Sequence, residues 1–291
     1  MKQPTISQLL LYPVKSLGVI SVSEAIVETR GFRHDRRFML VKPIINDDGF
    51  AAGLMMTQRE HTEMALVDVA FGEHETLRFW HRNTPNDVLA VPLTPARTGE
   101  VLVVNVWDSA DFVAPTVSKE ADEWFSRVLQ TPCRLVYMTD TTERTITSRY
   151  RQPDDHNPSA MVSFADGFPY LTASLESLAE LNRRLEEPVE MACFRPNIVV
   201  EGANGPHDED AWAHFRVGEL DFYSVKPCVR CVMTTIDPQT AQKGKEPLKT
   251  LATYRRVENK ILFGQNVMAS AEGVVRVGDN IEVLKRMETW I

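Results

Sequence analysis

The chain has 291 residues, of which 43% are hydrophobic and 25% charged. These are ordinary globular proportions, which exclude a wholly disordered, collagen-like or disulfide-scaffold protein. The formal net charge of −8 argues against a role in coating nucleic acid, although a local basic pocket is compatible with it.

At the N-terminus a short apolar run stops at Tyr12-Pro13, too short and polar for a signal peptide. No uninterrupted apolar stretch reaches the ~20 residues that span a bilayer. The expectation is a soluble, cytoplasmic protein without membrane association. The first hundred residues read mainly as strands: Ile6–Tyr12, Val22–Val27, Arg37–Val41, Thr76–His81 and Glu100–Val106. They are rich in β-branched and aromatic residues, and Pro13, Gly18, Gly31, Asn46–Gly49, Pro85-Asn86, Pro92 and Pro95 separate them. This spacing predicts a barrel or curled sheet. The first helix is expected over Lys119–Leu129, capped by Ser118, with Trp124, Phe125, Val128 and Leu129 on one face. A second is expected over Leu175–Leu185, with Ser174 and Ser177 at its start. Between them Thr139–Pro158 reads as a long polar loop carrying Arg144, Arg149 and Arg151. Strands resume at Asn197–Val200, Leu220–Val225 and Val232–Ile236. A helix over Pro247–Arg255 and strands at Val274–Val277 and Asn280–Leu284 close the chain. A division near residues 108–118 is expected, with no Pro/Gly/Ser linker to mark it.

The strongest local signal is Cys228-Val229-Arg230-Cys231, followed by Val232-Met233-Thr234-Thr235-Ile236-Asp237-Pro238. Four cysteines are too few for a disulfide framework in a chain of this size. A structural zinc site needs two more ligands at suitable spacing, and none is evident. A redox pair needs the first cysteine at a helix N-terminus, whereas the following residues favour a strand. Two buried thiols, or one thiolate ligand to a soft metal whose other donors come from a cofactor, both remain open. An anionic cofactor also needs convergent cations. Candidates stand at turn-like places: Lys15-Ser16, Asp35-Arg36-Arg37, Thr57-Gln58-Arg59 and Phe194-Arg195-Pro196-Asn197. Each could equally be a surface residue or a structural ion pair. No nucleotide-loop, nucleophile-elbow or zinc-protease motif is present. His61, His74, His81, His156, His207 and His214 are expected at the surface or in loops. Trp80, Trp107, Trp124 and Trp212 are expected to anchor cores, and His207-Asp208-Glu209-Asp210 to form a solvated loop.

Taken in order, these motifs resemble the MOSC superfamily, in particular its subgroup with an N-terminal β-barrel domain. The resemblance runs over nearly the whole chain. It takes in Tyr12-Pro13-Val14-Lys15-Ser16, Asp35-Arg36, Thr57-Gln58-Arg59, Ser163-Phe164-Ala165-Asp166, Phe194–Asn197, the Cys228–Cys231 segment, Glu246–Leu251, Phe263-Gly264-Gln265-Asn266 and Val277-Gly278-Asp279. It implies a β-rich α+β fold: a barrel-like domain over residues 1–112 and a MOSC β-barrel with peripheral helices over 113–291. It implies a molybdenum cofactor (Mo-molybdopterin) with Cys231 as the metal ligand and catalytic residue. Cofactor binding would fall to Lys15, Ser16, Arg36, Thr57, Arg59, Asp166, Arg195 and Asn197. The implied reaction is two-electron reduction of small N-hydroxylated compounds: hydroxylamines, amidoximes and N-hydroxylated base analogues. Electrons would come from a separate protein, a flavin or iron–sulfur reductase, because the chain lacks the cysteines for a cluster of its own. The alternative is a non-catalytic carrier or insertion protein for the cofactor or for sulfur. Two departures stand out. Gln58-Arg59-Glu60 replaces the usual Ala-Arg-Gln, and Ala241 stands where the family has a glycine.

Overall fold

The computed structural model describes residues 3–96, 99–146 and 161–289. Its largest sheet follows the order Ile20–Val22, Thr5–Leu11, Ile198–Glu201, Tyr170–Ser174, Lys260–Ala269, Leu220–Val229, Trp212–Val217, Ile281–Arg286. Neighbours are antiparallel except Tyr170–Ser174 against Ile198–Glu201. The sheet curls back on itself. Thr5 bridges to Asn280, and Ile6 N–H donates to the Asp279 carbonyl at 2.9 Å. Closure in this way removes a free edge. Along Leu220–Val229 the alternation is clean at first, with Leu220, Phe222 and Ser224 turned inward. Leu220 and Phe222 pack with Ile6, Tyr170, Trp212, Phe215, Val267 and Ile281 as the barrel core, and Phe215 stacks on Phe222 with centroids 5.3 Å apart.

A five-stranded sheet joins Phe112–Pro115, Val101–Val104, Ala51–Met55, Phe38–Ile45 and Arg134–Tyr137, and a three-stranded one joins Val67–Phe71, Thr76–His81 and Thr84–Pro92. Helix α1 (Lys119–Val128) fills the space between them. Its Trp124 and Phe125 pack with Phe38, Leu40, Leu77, Phe79 and Leu135. The Ser118 Oγ accepts from Ala121 N–H at 3.1 Å, satisfying an otherwise free helix-start donor. Helix α2 (Leu175–Asn182) is capped in the same way by Ser174. Helix α3 (Leu248–Tyr254) lies against the same apolar cluster as α2, through Leu251 and Tyr254. The β-rich α+β architecture is as expected.

Local differences have physical causes. Val232–Thr235 is a single 3-10 turn, not a strand. The Thr234 and Thr235 hydroxyls bond back to the Cys231 and Val232 carbonyls at 3.0 and 2.8 Å, and this local pairing competes with a sheet ladder. Pro85-Asn86 does not end a strand, because it falls in an irregularity of an edge strand, Thr84–Pro92, where a missing N–H is tolerated. Of the expected 139–158 loop, residues 147–158 lie outside the described residues, as does His156. Arg144 is buried and donates to the carbonyls of Ser163, Ala165 and Asp166.

The acidic run is the largest correction. Glu209 and Asp210 are each 1% exposed. The Glu209 carboxylate accepts from Ser174 N–H, Ser174 Oγ and Ser177 Oγ, anchoring the start of α2. Asp210 pairs with buried Arg255, and Asp208 accepts from the Trp212 indole at 3.0 Å. Asp208 also pairs with Arg286 at 2.8 Å, so each acid has a partner distant in sequence, which is the usual condition for burying a polar group. His207 is half-buried, and burial pushes it down to about 3, so it is neutral.

Candidate active site

One cavity opens where the barrel meets the five-stranded sheet. Lys15, Ser16, Arg36, Thr57, Arg59, Asp166, Arg195, Asn197 and Cys231 all line it. The segment after Thr5–Leu11 brings in the first two residues. It is tied to the strand beginning at Phe38, with Lys15 N–H donating to the Phe38 carbonyl at 2.9 Å and Phe38 N–H to Pro13 at 3.0 Å. Arg36 N–H donates to the Tyr12 carbonyl at 2.8 Å, and Phe164 N–H to the Arg36 carbonyl at 2.9 Å. Three segments distant in sequence are thereby sewn together at the backbone.

The side chains continue the stitching. Buried Asp35 accepts from Tyr12 N–H at 2.7 Å and from the Arg36 guanidinium at 2.6 Å. Asn197 accepts from Arg36 at 3.1 Å and donates to the Leu10 carbonyl at 3.2 Å. Gln58 is buried and donates to the Ser16 carbonyl at 2.8 Å. Four non-glycine residues lining the cavity have left-handed backbones: Ser16, Arg36, Trp107 and Arg195, with φ of 66°, 48°, 53° and 55°. Such conformations are uncommon and persist where the surroundings impose them.

The cavity is cationic. Lys15, Arg36, Arg59, Arg195 and Arg230 line it, with Asp166 as the one carboxylate among its described lining residues. Lys15 Nζ pairs with Asp166 and donates to the Phe164 carbonyl at 2.9 Å. Burial pushes Lys15 down, and Asp166 opposes the shift. Burial also works to raise Asp166, but Lys15, the Trp107 indole and Arg59 outweigh it and hold the carboxyl below the ordinary carboxylate range. Arg195 is pushed down to about 10, chiefly by burial. Three buried guanidinium donors of the cavity lining make no hydrogen bond among the described residues: Arg195 Nη2, Arg59 Nε and Arg230 Nε. An unmet charged donor is costly, so an anionic acceptor in the cavity would relieve it.

Three cysteines reach the cavity. Burial pushes Cys193 up to about 12, which keeps it a thiol. Cys228 Sγ is engaged by the Arg230 guanidinium, which also donates to the Phe194 carbonyl. Cys231 is half-buried and precedes the 3-10 turn. Among the described residues no group of three or more His, Cys, Asp or Glu is placed to hold a metal ion by itself.

The sequence reading missed some of the lining. Trp107, expected in a core, is 38% exposed and carries the Arg59 guanidinium 4.1 Å from its ring centroid. Arg230 was visible only as a residue between two cysteines. Tyr12 was visible only as part of a motif, yet both Arg36 and Arg195 lie over its ring. No local pattern announces these contacts.

The chain matches the model of the MOSC N-terminal beta barrel domain over residues 3–132 and that of the MOSC domain over residues 160–282. It is 34% identical to the mitochondrial amidoxime-reducing component 1 of Mus musculus, over 96% of this chain and 82% of that protein. It is 32% identical to the mitochondrial amidoxime reducing component 2 of Homo sapiens, over 95% and 82%. A molybdenum cofactor sulfurase from Oryza sativa subsp. japonica is 29% identical over 97% of this chain, but over 34% of its own length. Among the described residues no helix is long and apolar enough to cross a membrane. The chain belongs to the MOSC family, in the form that carries the N-terminal β-barrel domain, and the mitochondrial amidoxime-reducing components are its homologues.

Proposed function

We propose that this protein is a molybdenum-cofactor-dependent reductase of small N-hydroxylated compounds, fed with electrons by a separate protein. The observation that carries the reading is the convergence, in one cavity, of Cys231 with five cations whose buried donors are partly unmet. A pterin cofactor with a phosphate group and a soft metal asks for that donor set: one thiolate plus charged hydrogen-bond donors. The amidoxime-reducing relatives supply the substrate class.

On this reading Cys231 holds the metal. Arg195, Arg36, Lys15 and Ser16 grip the phosphate end, and Arg59, Thr57, Asp166 and Asn197 hold the remainder. The bound group supplies the two-electron chemistry of N–O cleavage. The protein's own part is binding and orientation. Asn197 and Asp35 fix the Arg36 fork, and Asp166 opposes the downward push of burial on Lys15. Arg230 occupies Cys228, so the neighbouring thiol is held by a cation while Cys231 faces the cavity. Burial strengthens each charged contact, because water screens it less.

The test is the molybdenum-to-protein ratio of material from a host that makes the cofactor, measured beside Cys231→Ser. We expect near-stoichiometric metal in the wild type, depletion in the variant, and the same melting temperature for the two proteins when both are cofactor-free. Full loading of Cys231→Ser with retained turnover would refute the ligand role. Similarity to the cofactor sulfurase favours one second reading, a cofactor carrier. A carrier would pass its cofactor to an acceptor enzyme and would not oxidise a reductant when an N-hydroxylated substrate is added.

A further inference from the structure

Arg36 and Arg195 pose a physical problem. They are two cations lining one cavity, they repel each other, and Arg195 is half-buried there. No carboxylate salt-bridges Arg195 among the described residues. Its guanidinium donates to the Leu17 carbonyl at 2.8 Å, and Nη2 is buried with no partner. What they share is Tyr12. The Arg36 guanidinium carbon lies 4.4 Å from the Tyr12 ring centroid and that of Arg195 lies 4.2 Å away. The ring is 1% exposed, within the cluster that also holds Leu10, Phe194 and Phe263.

We infer that Tyr12 is a positioning residue. Its π system holds Arg36 and Arg195 at a fixed spacing and so builds the anion clamp before any anion arrives. This rests on the reading of the cavity as a cofactor site and deepens it. The electron-rich face of an aromatic ring attracts cations, most strongly where water is excluded. Backbone contacts lock the arrangement from both ends. Arg36 Nη2 donates to the Arg195 carbonyl at 3.2 Å, and Arg36 N–H donates to the Tyr12 carbonyl. Asp35 ties Tyr12 N–H to the Arg36 side chain, so one buried carboxylate serves both. The ring, not the hydroxyl, does the positioning. The Tyr12 oxygen is buried with no partner among the described residues, and burial holds the phenol at about 12, where it stays neutral.

The experiment separates ring electrons from ring shape. Tyr12→Phe keeps the π face, pentafluorophenylalanine at position 12 keeps the shape and removes the attraction, and Tyr12→Leu removes the ring. Two quantities are measured. One is pterin and molybdenum content per chain, from a host that makes the cofactor. The other is the affinity for inorganic pyrophosphate of protein from a host that cannot make it. Tyr12→Phe should match the wild type within about twofold in both. The fluorinated ring should lower pyrophosphate affinity by about tenfold, with pterin content falling in step and the melting temperature of cofactor-free protein held within a few degrees. Unchanged affinity and loading in the fluorinated protein would overturn the inference, even if Tyr12→Leu does not fold. Failure of the wild type to bind pyrophosphate would overturn it as well. A wild type that binds pyrophosphate but never carries pterin would sink the proposed function and leave the clamp to be judged by the fluorinated series alone.

Discussion

Glu209 offers a prediction whose size follows from its surroundings. It is 1% exposed, yet ionisable. Burial is the main force on it and raises its pKa, adjacent Asp210 raises it further, and the Ser177 and Ser174 hydrogen bonds pull the other way. The balance takes the carboxyl from its ordinary 4.5 up to about 7. Between those values the folded protein holds a proton that the unfolded chain has lost. Stability from this group is therefore fully present below about pH 4.5 and is lost as pH rises through about 7. At roughly 1.4 kcal/mol per pH unit, the loss amounts to about 3 kcal/mol. Glu209→Gln keeps the shape, still accepts from Ser174 N–H, and can donate to the serine hydroxyls. It should flatten the wild-type decline and be the more stable protein at pH 8, with little difference at pH 5. Urea unfolding of both proteins between pH 5 and 8 measures this. If Glu209→Gln shows the wild-type slope, or is the weaker protein at pH 8, the carboxylate is a stabilising anchor in its charged form and the reasoning fails.

Three other outcomes are expected. Gly264 has φ +74°, and a Cβ there would sit 2.7 Å from the Thr172 carbonyl oxygen of the paired strand. Gly264→Ala should cost more than about 2 kcal/mol, since left-handed strain alone is about 1–2, and a loss below 1 in urea unfolding would contradict this. Ala241 has φ +58°. Ala241→Gly should gain about 0.5–1 kcal/mol, because the relieved strain exceeds the added chain entropy; a lowered denaturation midpoint would contradict it. Burial pushes Cys133 up to about 11 and Cys193 to about 12, whereas Cys228 and Cys231 are half-exposed. Timed alkylation of native cofactor-free protein, read by mass spectrometry, should label 228 and 231 first, and early labelling of Cys193 would argue against its burial.

What the sequence made legible was local. Ser118 and Ser174 cap helices where their spacing predicts, and Thr76–His81 alternates and is a strand with those bounds. Lys260–Ala269 escaped notice because Gly264, Gln265 and Asn266 interrupt its apolar run. In the fold those interruptions are used. Gly264 admits the neighbouring strand, and Gln265 Nε2 donates to the Asp210 carbonyl at 3.2 Å. The acidic run misled for the same reason. Hydrophilic residues read as solvated until their partners, here Ser174, Ser177 and Arg255, are known. The nine candidate site residues were named from ordered motifs, and they do meet in one cavity. Their meeting was not legible, because contacts such as Lys15 with Asp166 and Arg36 with Asn197 span more than 150 residues.

The cavity also explains how a chain of net charge −8 can hold a cationic pocket. Stability alone does not favour this arrangement. Left-handed backbones at Ser16, Arg36, Trp107 and Arg195 each cost of order 1–3 kcal/mol, and the unmet donors of Arg59, Arg195 and Arg230 add desolvation cost. The surrounding apolar clusters and the backbone ties among Tyr12, Arg36 and Phe164 hold the strained turns in place. On the proposed reading, the strain and the unmet donors share one origin. The fold meets the ordering cost of the clamp in advance, so a bound anion encounters guanidinium groups already aimed and desolvated. A pocket assembled only on binding would carry that cost in its affinity instead. Tyr12 matters in this light because a neutral ring gathers cations without neutralising them. A second carboxylate at the same place would bind the arginines more tightly and leave less charge for the ligand.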